Sequence, residues 1–121
     1  MCSSDLAQVG LALGYSVENF GGRPASEWAD ADNGENYEIL DNELAAKAGG
    51  ANWRPSMAQD VVKRRPTEIS QMNGYVVARG REAGIATPVN AAMTQMIKDI
   101  DAGDLEPGFA NVDTVLKNAG Y

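Results

Sequence analysis

Apolar residues along this chain recur at intervals of three and four rather than two, the spacing that gathers them on one face of an α-helix. Leu6, Val9, Gly10 and Leu13 follow that rule and predict a first helix stopping near Gly14. Gly21-Gly22-Arg23-Pro24 reads as a turn, followed by an acidic, irregular or short helical stretch to Gly34. Tyr37, Leu40 and Leu44 share a face of the next helix, which Gly49-Gly50 should end. Ser56-Met57-Ala58-Gln59 is a capping-box sequence, a hydroxyl followed three residues later by a glutamine, and predicts a helix through about Lys63. Thr67 is placed to cap a longer helix from Glu68 to Ala83, with Ile69, Met72, Val76 and Val77 toward the core and Gly84 as terminator. Thr87-Pro88 is a helix start, a cap followed by proline at the first helical position. Met93, Met96, Ile97 and Ile100 then carry an apolar stripe to Gly103, and Phe109, Val112, Val115 and Leu116 suggest a short final helix. No alternating run predicts a strand. The pattern implies a single all-α, multi-helix domain.

Composition narrows what such a domain can do. Its 121 residues support one modest core. Histidine is absent and Cys2 is the only cysteine, which excludes disulfide frameworks, the usual zinc clusters and every histidine-dependent triad. No metal site is expected. No apolar run approaches the roughly 18 residues of a membrane span, and no basic-then-apolar leader is visible, so the expected location is cytoplasmic. A net charge of −7 argues against nucleic acid. That charge is unevenly spread. Residues 27–43 carry seven acids and no base, whereas 47–81 carry seven bases against Asp60 and Glu68. A site lined by the middle of the chain would favour an anion, although two solvated faces of opposite sign explain the asymmetry equally well.

The first six residues stand apart. Met1-Cys2-Ser3-Ser4-Asp5-Leu6 can be written back as GTG TGC TCT TCC GAT CTN, the end of a widely used sequencing adaptor with GTG read as a start codon. Residues 1–6 are therefore expected to be non-native and 7–121 to be the domain. The alternative is a genuine start, with Ser4 or Asp5 capping the first helix.

The informative stretch is Arg54-Pro55-Ser56-Met57-Ala58-Gln59-Asp60-Val61, Lys63, Thr67-Glu68-Ile69 and Met72-Asn73-Gly74, followed by Gly84-Ile85 and Thr87-Pro88-Val89-Asn90. Over residues 54–90 it resembles the C-terminal signature of the ketopantoate reductase (2-dehydropantoate 2-reductase) family: S-M-x-Q-D, a basic connection, T-E-I, N-G, then G-[IV]-x-[TV]-P-x-N. The resemblance implies the helical fold of that family's C-terminal domain, like the C-terminal domain of 6-phosphogluconate dehydrogenase. It also implies NADPH-dependent reduction of ketopantoate to pantoate, with the nucleotide on an N-terminal Rossmann domain. No GxGxxG fingerprint occurs in this sequence. The chain thus reads as a fragment that lacks the Rossmann domain, the first part of the helical domain and the family's catalytic lysine, and that is inactive alone. Lys47 and Lys63 sit on other predicted helices and do not inherit the lysine's role.

By the same resemblance Ser56 hydrogen-bonds the substrate carboxylate, and Glu68 lies beside the lysine and the substrate hydroxyl. A hydroxyl at a helix N-terminus is a good carboxylate receptor, and a carboxylate in a helix's first turn is stabilised there. The plainer readings are a cap for Ser56 and a dipole-favoured surface residue for Glu68. Asn52 and Arg54 are weaker substrate-side candidates. Some relatives carry asparagine three residues before the serine; that position is Trp53 here, with Asn52 one step earlier. Gln59 and Asp60 read as structural, Lys63-Arg64-Arg65 as a solvated run rather than an anion attractor, and Asn73 and Asn90 as helix braces through side-chain to backbone bonds. Expected partners are a keto acid, the Rossmann domain and, with less to support it, a second copy as a homodimer. Two alternatives keep their place: a reductase of another 2-keto or 3-hydroxy acid, and a stand-alone, non-catalytic helical binding or dimerisation module.

Overall fold

Helices follow one another through the computed structural model, which describes residues 2–48 and 55–121. They are α1 (Cys2–Ala12), α2 (Ala25–Ala29), α3 (Glu35–Ala48), α4 (Ser56–Val62), α5 (Asn73–Ala83), α6 (Pro88–Ala102) and α7 (Asn111–Ala119). Among the described residues there is no strand beyond an isolated bridge between Phe20 and Arg23, and the all-α expectation holds. No helix among them is long and apolar enough to cross a membrane.

Glycine sets the turns where the backbone must enter the left-handed region. Gly21 and Gly22 both have positive φ, 61° and 84°, the conformation that a tight two-residue reversal needs. Phe20 and Arg23 accordingly exchange N–H···O bonds of 3.0 and 3.1 Å across it. The reversal is anchored twice. The Phe20 ring stacks on Trp28 at 4.6 Å while the Trp28 indole N–H donates to the Phe20 carbonyl at 3.1 Å. Arg23 donates to both oxygens of Glu43 (3.0 and 2.5 Å) and to Glu27 (2.6 Å), joining the turn to α2 and α3. Glu43, then Glu27, raises the arginine's pKa further.

Trp28 also belongs to a buried cluster with Ala7, Ala31 and Leu40, through which α1, α2 and α3 share an apolar centre. Gln8 adds a polar tie, its amide donating to the Ala29 carbonyl at 2.8 Å.

A second centre is polar. Asp5 on α1 is only 4% exposed. Its Oδ2 accepts the Asn90 backbone N–H (2.9 Å) and the Asn90 side-chain amide (2.8 Å). Asn90 is the third helical residue of α6, so this N–H is one of the orphan donors of the helix start. Thr87, the N-cap, makes no side-chain cap bond. A carboxylate from another helix does the capping instead. Asn90 also donates to the Cys2 carbonyl (3.1 Å) and accepts from Asn73 Nδ2 (2.9 Å), so α1, α5 and α6 meet at one hydrogen-bonded node. The bracing role expected of Asn73 and Asn90 is present, though Asn73 bonds a side chain rather than backbone. Nearby, burial and then Asp5 push the Cys2 thiol pKa up.

Helices α1 and α5 pack where Gly80 leaves room. A Cβ there would lie 2.7 Å from Thr87 Cγ2, 2.9 Å from the Ile85 carbonyl oxygen and 3.3 Å from Val9 Cγ2. Sequence periodicity found the helices but misjudged several faces. The inward residues of α1 are Ser4, Asp5, Ala7 and Val9, whereas Leu6 is exposed. Small and polar residues face in because the neighbouring backbones come close. On α3 only Leu40 of the expected stripe is fully buried. Gly49-Gly50 lies outside the described residues.

The longer helix from Glu68 does not form. Residues 68–72 make a turn and α5 begins at Asn73. Ser70, Asn73 and Gly74 are weak helix formers that favour local turns, and the Gly74 N–H reaches back five residues to the Ile69 carbonyl (2.9 Å) instead of four. Downstream, Thr87-Pro88 and Gly103 bound α6 as expected. Residues 104–121 fold back: α7 packs on α6, and the Tyr121 hydroxyl donates to Asp32 at 3.1 Å. Burial, then Asp32, pushes the Tyr121 pKa up to about 12.

Replacing Asp5 with alanine should strand two donors of Asn90 and cost about 1–3 kcal/mol, read from chemical denaturation. Asp5→Asn, which keeps an acceptor, should lose less. Gly80→Ala should cost about 1–3 kcal/mol through overpacking; an unchanged midpoint would show that α1 and α5 separate freely.

Candidate functional site

Ser56 opens α4 and Glu68 sits in the turn before α5, and the fold brings the two together. With Met57, Asp60 and Met72 they line a pocket of about 180 Å³. Ser56 and Asp60 are four residues apart on α4 and so share one face of it. The pocket therefore holds a hydroxyl, two carboxylates and two thioethers.

The capping-box expectation for Ser56 fails in a useful way. Pro55 occupies the N-cap position, extended at φ −54° and ψ 153°, and Ser56 is the first helical residue. No side chain caps this helix. The exposed serine hydroxyl is thus not consumed as a cap and remains able to donate to a ligand. Helix α4 is only seven residues long, so its dipole adds little at Ser56.

Glu68 does not stand in the first turn of a helix as the sequence suggests. Its position comes from its neighbours. The Thr67 N–H and hydroxyl both donate to Asp101 Oδ2 near the end of α6, at 3.0 and 2.7 Å. On the other side Ile69 is 2% exposed and anchors the turn in the core. Glu68, between a pinned residue and a buried one, is exposed at the pocket. Thr67 was expected to cap a helix; instead it ties the site turn to α6. Asp101 was not foreseen at all, since nothing in its local sequence distinguishes it from other surface acids of α6.

Asp60, read from sequence as structural, lines the pocket. Two carboxylates and a hydroxyl accept hydrogen bonds from an ammonium or an alcohol well, but repel an anion unless a cation joins them. No lysine or arginine lines this pocket among the described residues. Asn52, Trp53 and Arg54 lie outside the described residues. The basic triplet is directed elsewhere: Lys63 is the C-cap of α4, where positive charge is favourable, and Arg64 and Arg65 line a separate recess. No cluster of three metal-ligating side chains occurs among the described residues.

Comparison with known proteins identifies the family. The family described as "Ketopantoate reductase PanE/ApbA C terminal" matches residues 22–101. This chain belongs to that family of helical C-terminal domains. Over 73 residues it is 45% identical to the 2-dehydropantoate 2-reductase of Vibrio cholerae, covering 60% of this chain and 25% of that protein. The enzyme of the same name from Aquifex aeolicus is 46% identical over 48 residues, 40% of this chain and 15% of its own length. That of Pyrobaculum aerophilum is 49% identical over 43 residues, 36% and 15% respectively. The matched region therefore spans a quarter or less of these curated relatives. No solved structure matches.

Because the Ser56 hydroxyl makes no cap bond, Ser56→Ala should leave stability within about 0.5 kcal/mol of the parent. A loss of about 1 kcal/mol or more in thermal or denaturant unfolding would restore it to the role of a cap.

Proposed function

We propose that this chain is the substrate-side half of a reductive cleft, serving NADPH-dependent reduction of ketopantoate to pantoate. The observation that carries the reading is the convergence of Ser56 and Glu68, 12 positions apart in sequence, on one small pocket. Both belong to the family signature and lie within residues 22–101, which the family model matches.

In this reading the Ser56 hydroxyl donates to the carboxylate of the keto acid, and Glu68 accepts from the hydroxyl end of the substrate. Asp60 adds a second acceptor on the same wall. A carboxylate substrate brought against Asp60 and Glu68 needs a compensating cation. The family's lysine, expected from the resemblance to lie outside these 121 residues, fits that need. It would be oriented by Glu68 and would hold the proton destined for the carbonyl oxygen.

No GxGxxG pattern occurs in the sequence, and among the described residues no glycine-rich turn joins a strand to a helix. NADPH would be held by a Rossmann domain outside these residues and would supply the hydride. What the helical domain contributes is orientation of the acceptor carbonyl, the kind of positioning on which such a transfer depends.

Two outcomes are expected. The purified chain alone does not consume NADPH in the presence of ketopantoate; turnover above that of a Ser56→Ala/Glu68→Ala double variant would overturn this. Joined behind the whole part of the Vibrio cholerae relative that precedes the matched region, its catalytic lysine included, the chain supports ketopantoate reduction, and Glu68→Ala lowers kcat/KM by about a hundredfold or more. A folded chimera whose activity is indifferent to both substitutions, or which prefers another 2-keto acid, would refute the assignment.

A further inference from the structure

Glu68 reaches the Ser56 pocket from a turn rather than from a helix, so its aim depends on how that turn is held. Part of the hold is internal. The Glu68 carbonyl accepts the backbone N–H groups of Gln71 and Met72, at 3.0 and 3.1 Å. The Thr67 hydroxyl oxygen accepts the Ile69 N–H at 3.4 Å and so bridges the residues on either side of Glu68. The buried Ile69 side chain adds a foot in the core. These contacts shape the turn, but they do not tie its N-terminal side to another helix.

Asp101, in the last turn of α6, supplies that tie. Its Oδ2 accepts both the Thr67 N–H, at 3.0 Å, and the Thr67 hydroxyl, at 2.7 Å. Backbone and side chain of Thr67 are thus fixed by one oxygen. Because the hydroxyl proton is committed to Asp101, a lone pair of the same hydroxyl is left for the Ile69 N–H. Hydrogen bonds to an ionised acceptor are about twice as strong as neutral ones, which offsets the exposure of this contact. Asp101 does not itself line the pocket of Glu68; it belongs to the wall of the recess that holds Arg64 and Arg65.

We propose that Asp101 is a positioning residue for Glu68, acting through Thr67 to set the place of the Glu68 carboxylate in the site. The inference rests on the reductive reading, in which Glu68 meets the substrate hydroxyl and the proton-donating lysine. A displacement of about 1 Å in such a geometry costs on the order of a hundredfold in rate. Loosening Thr67 therefore acts on turnover, whereas the bond from Ser56 to the substrate carboxylate is kept.

Kinetics of the chimera with the Vibrio cholerae relative test it. Asp101→Ala should lower kcat by about tenfold or more and leave KM for ketopantoate nearly unchanged. Asp101→Asn, which keeps an acceptor for Thr67, should recover most of that loss. Thr67→Val, which deletes the hydroxyl without removing a charge, should reproduce the loss in smaller degree. In a Glu68→Ala background neither Asp101→Ala nor Thr67→Val should lower kcat further, because the group they position is gone. A merely structural role gives the same loss with and without Glu68, and that result overturns the proposal. So does full kcat in an Asp101→Ala chimera, shown folded by circular dichroism, while Glu68→Ala is impaired; the reductive reading then stands. A chimera indifferent to Glu68→Ala removes both together.

Discussion

The node at Asn90, where Asp5 (one of the six residues whose sequence reads as non-native) serves as acceptor, joins α1, α5 and α6 and positions the elements around the site. A helix start inside a protein leaves N–H groups without water, and α6 begins with a proline and a threonine that offers no cap. Asp5 supplies the missing acceptor from another helix, and Asn90 passes the connection to Asn73 at the start of α5. At its other end α6 holds Asp101, which fixes Thr67 beside Glu68. The turn carrying Glu68 is thus suspended between the two ends of one helix. What the node demands is an acceptor facing Asn90, and a carboxylate with both bonds to one asparagine meets that demand fully.

Much of this was legible in the sequence because helices announce themselves through spacing and punctuation. The limits at Gly14, Thr87-Pro88 and Gly103 follow from local backbone chemistry and needed no tertiary information. The inward faces were harder. Periodicity assumes that the largest apolar residue points inward, yet α1 turns Ala7, Ser4 and Asp5 to the interior because α2 and α5 approach closely, a closeness that Gly80 permits on the α5 side. The late start of α5 was hidden for a different reason. Ile69 and Met72 fit a helical stripe, but Ser70, Asn73 and Gly74 favour a turn, and a tertiary contact invisible to periodicity pins Thr67 to an acid 34 residues away.

The candidate site divides along the same line. Ser56 and Glu68 were readable as members of a signature, but their juxtaposition belongs to the fold. Asp60 was read as structural because a lone aspartate in a short helix usually is. Its presence in the pocket changes the electrostatics, since a hydroxyl and two carboxylates favour a cation more than the anion that the basic middle of the chain suggested. The bases at 63–65 serve the end of α4 and the other recess.

That imbalance bears on what a helical half-site can do alone. On the proposed reading the substrate is an anionic keto acid, to which Ser56 offers one neutral donor while two carboxylates oppose its approach. Recognition on this wall is therefore weak until positive charge arrives from outside the pocket. On the proposed reading, that charge is the proton donor itself, so substrate binding and assembly of the catalytic group become one event. A wall that binds poorly until the cleft is complete avoids holding the keto acid where it cannot react, and favours the arrangement in which donor, acceptor and proton are present together.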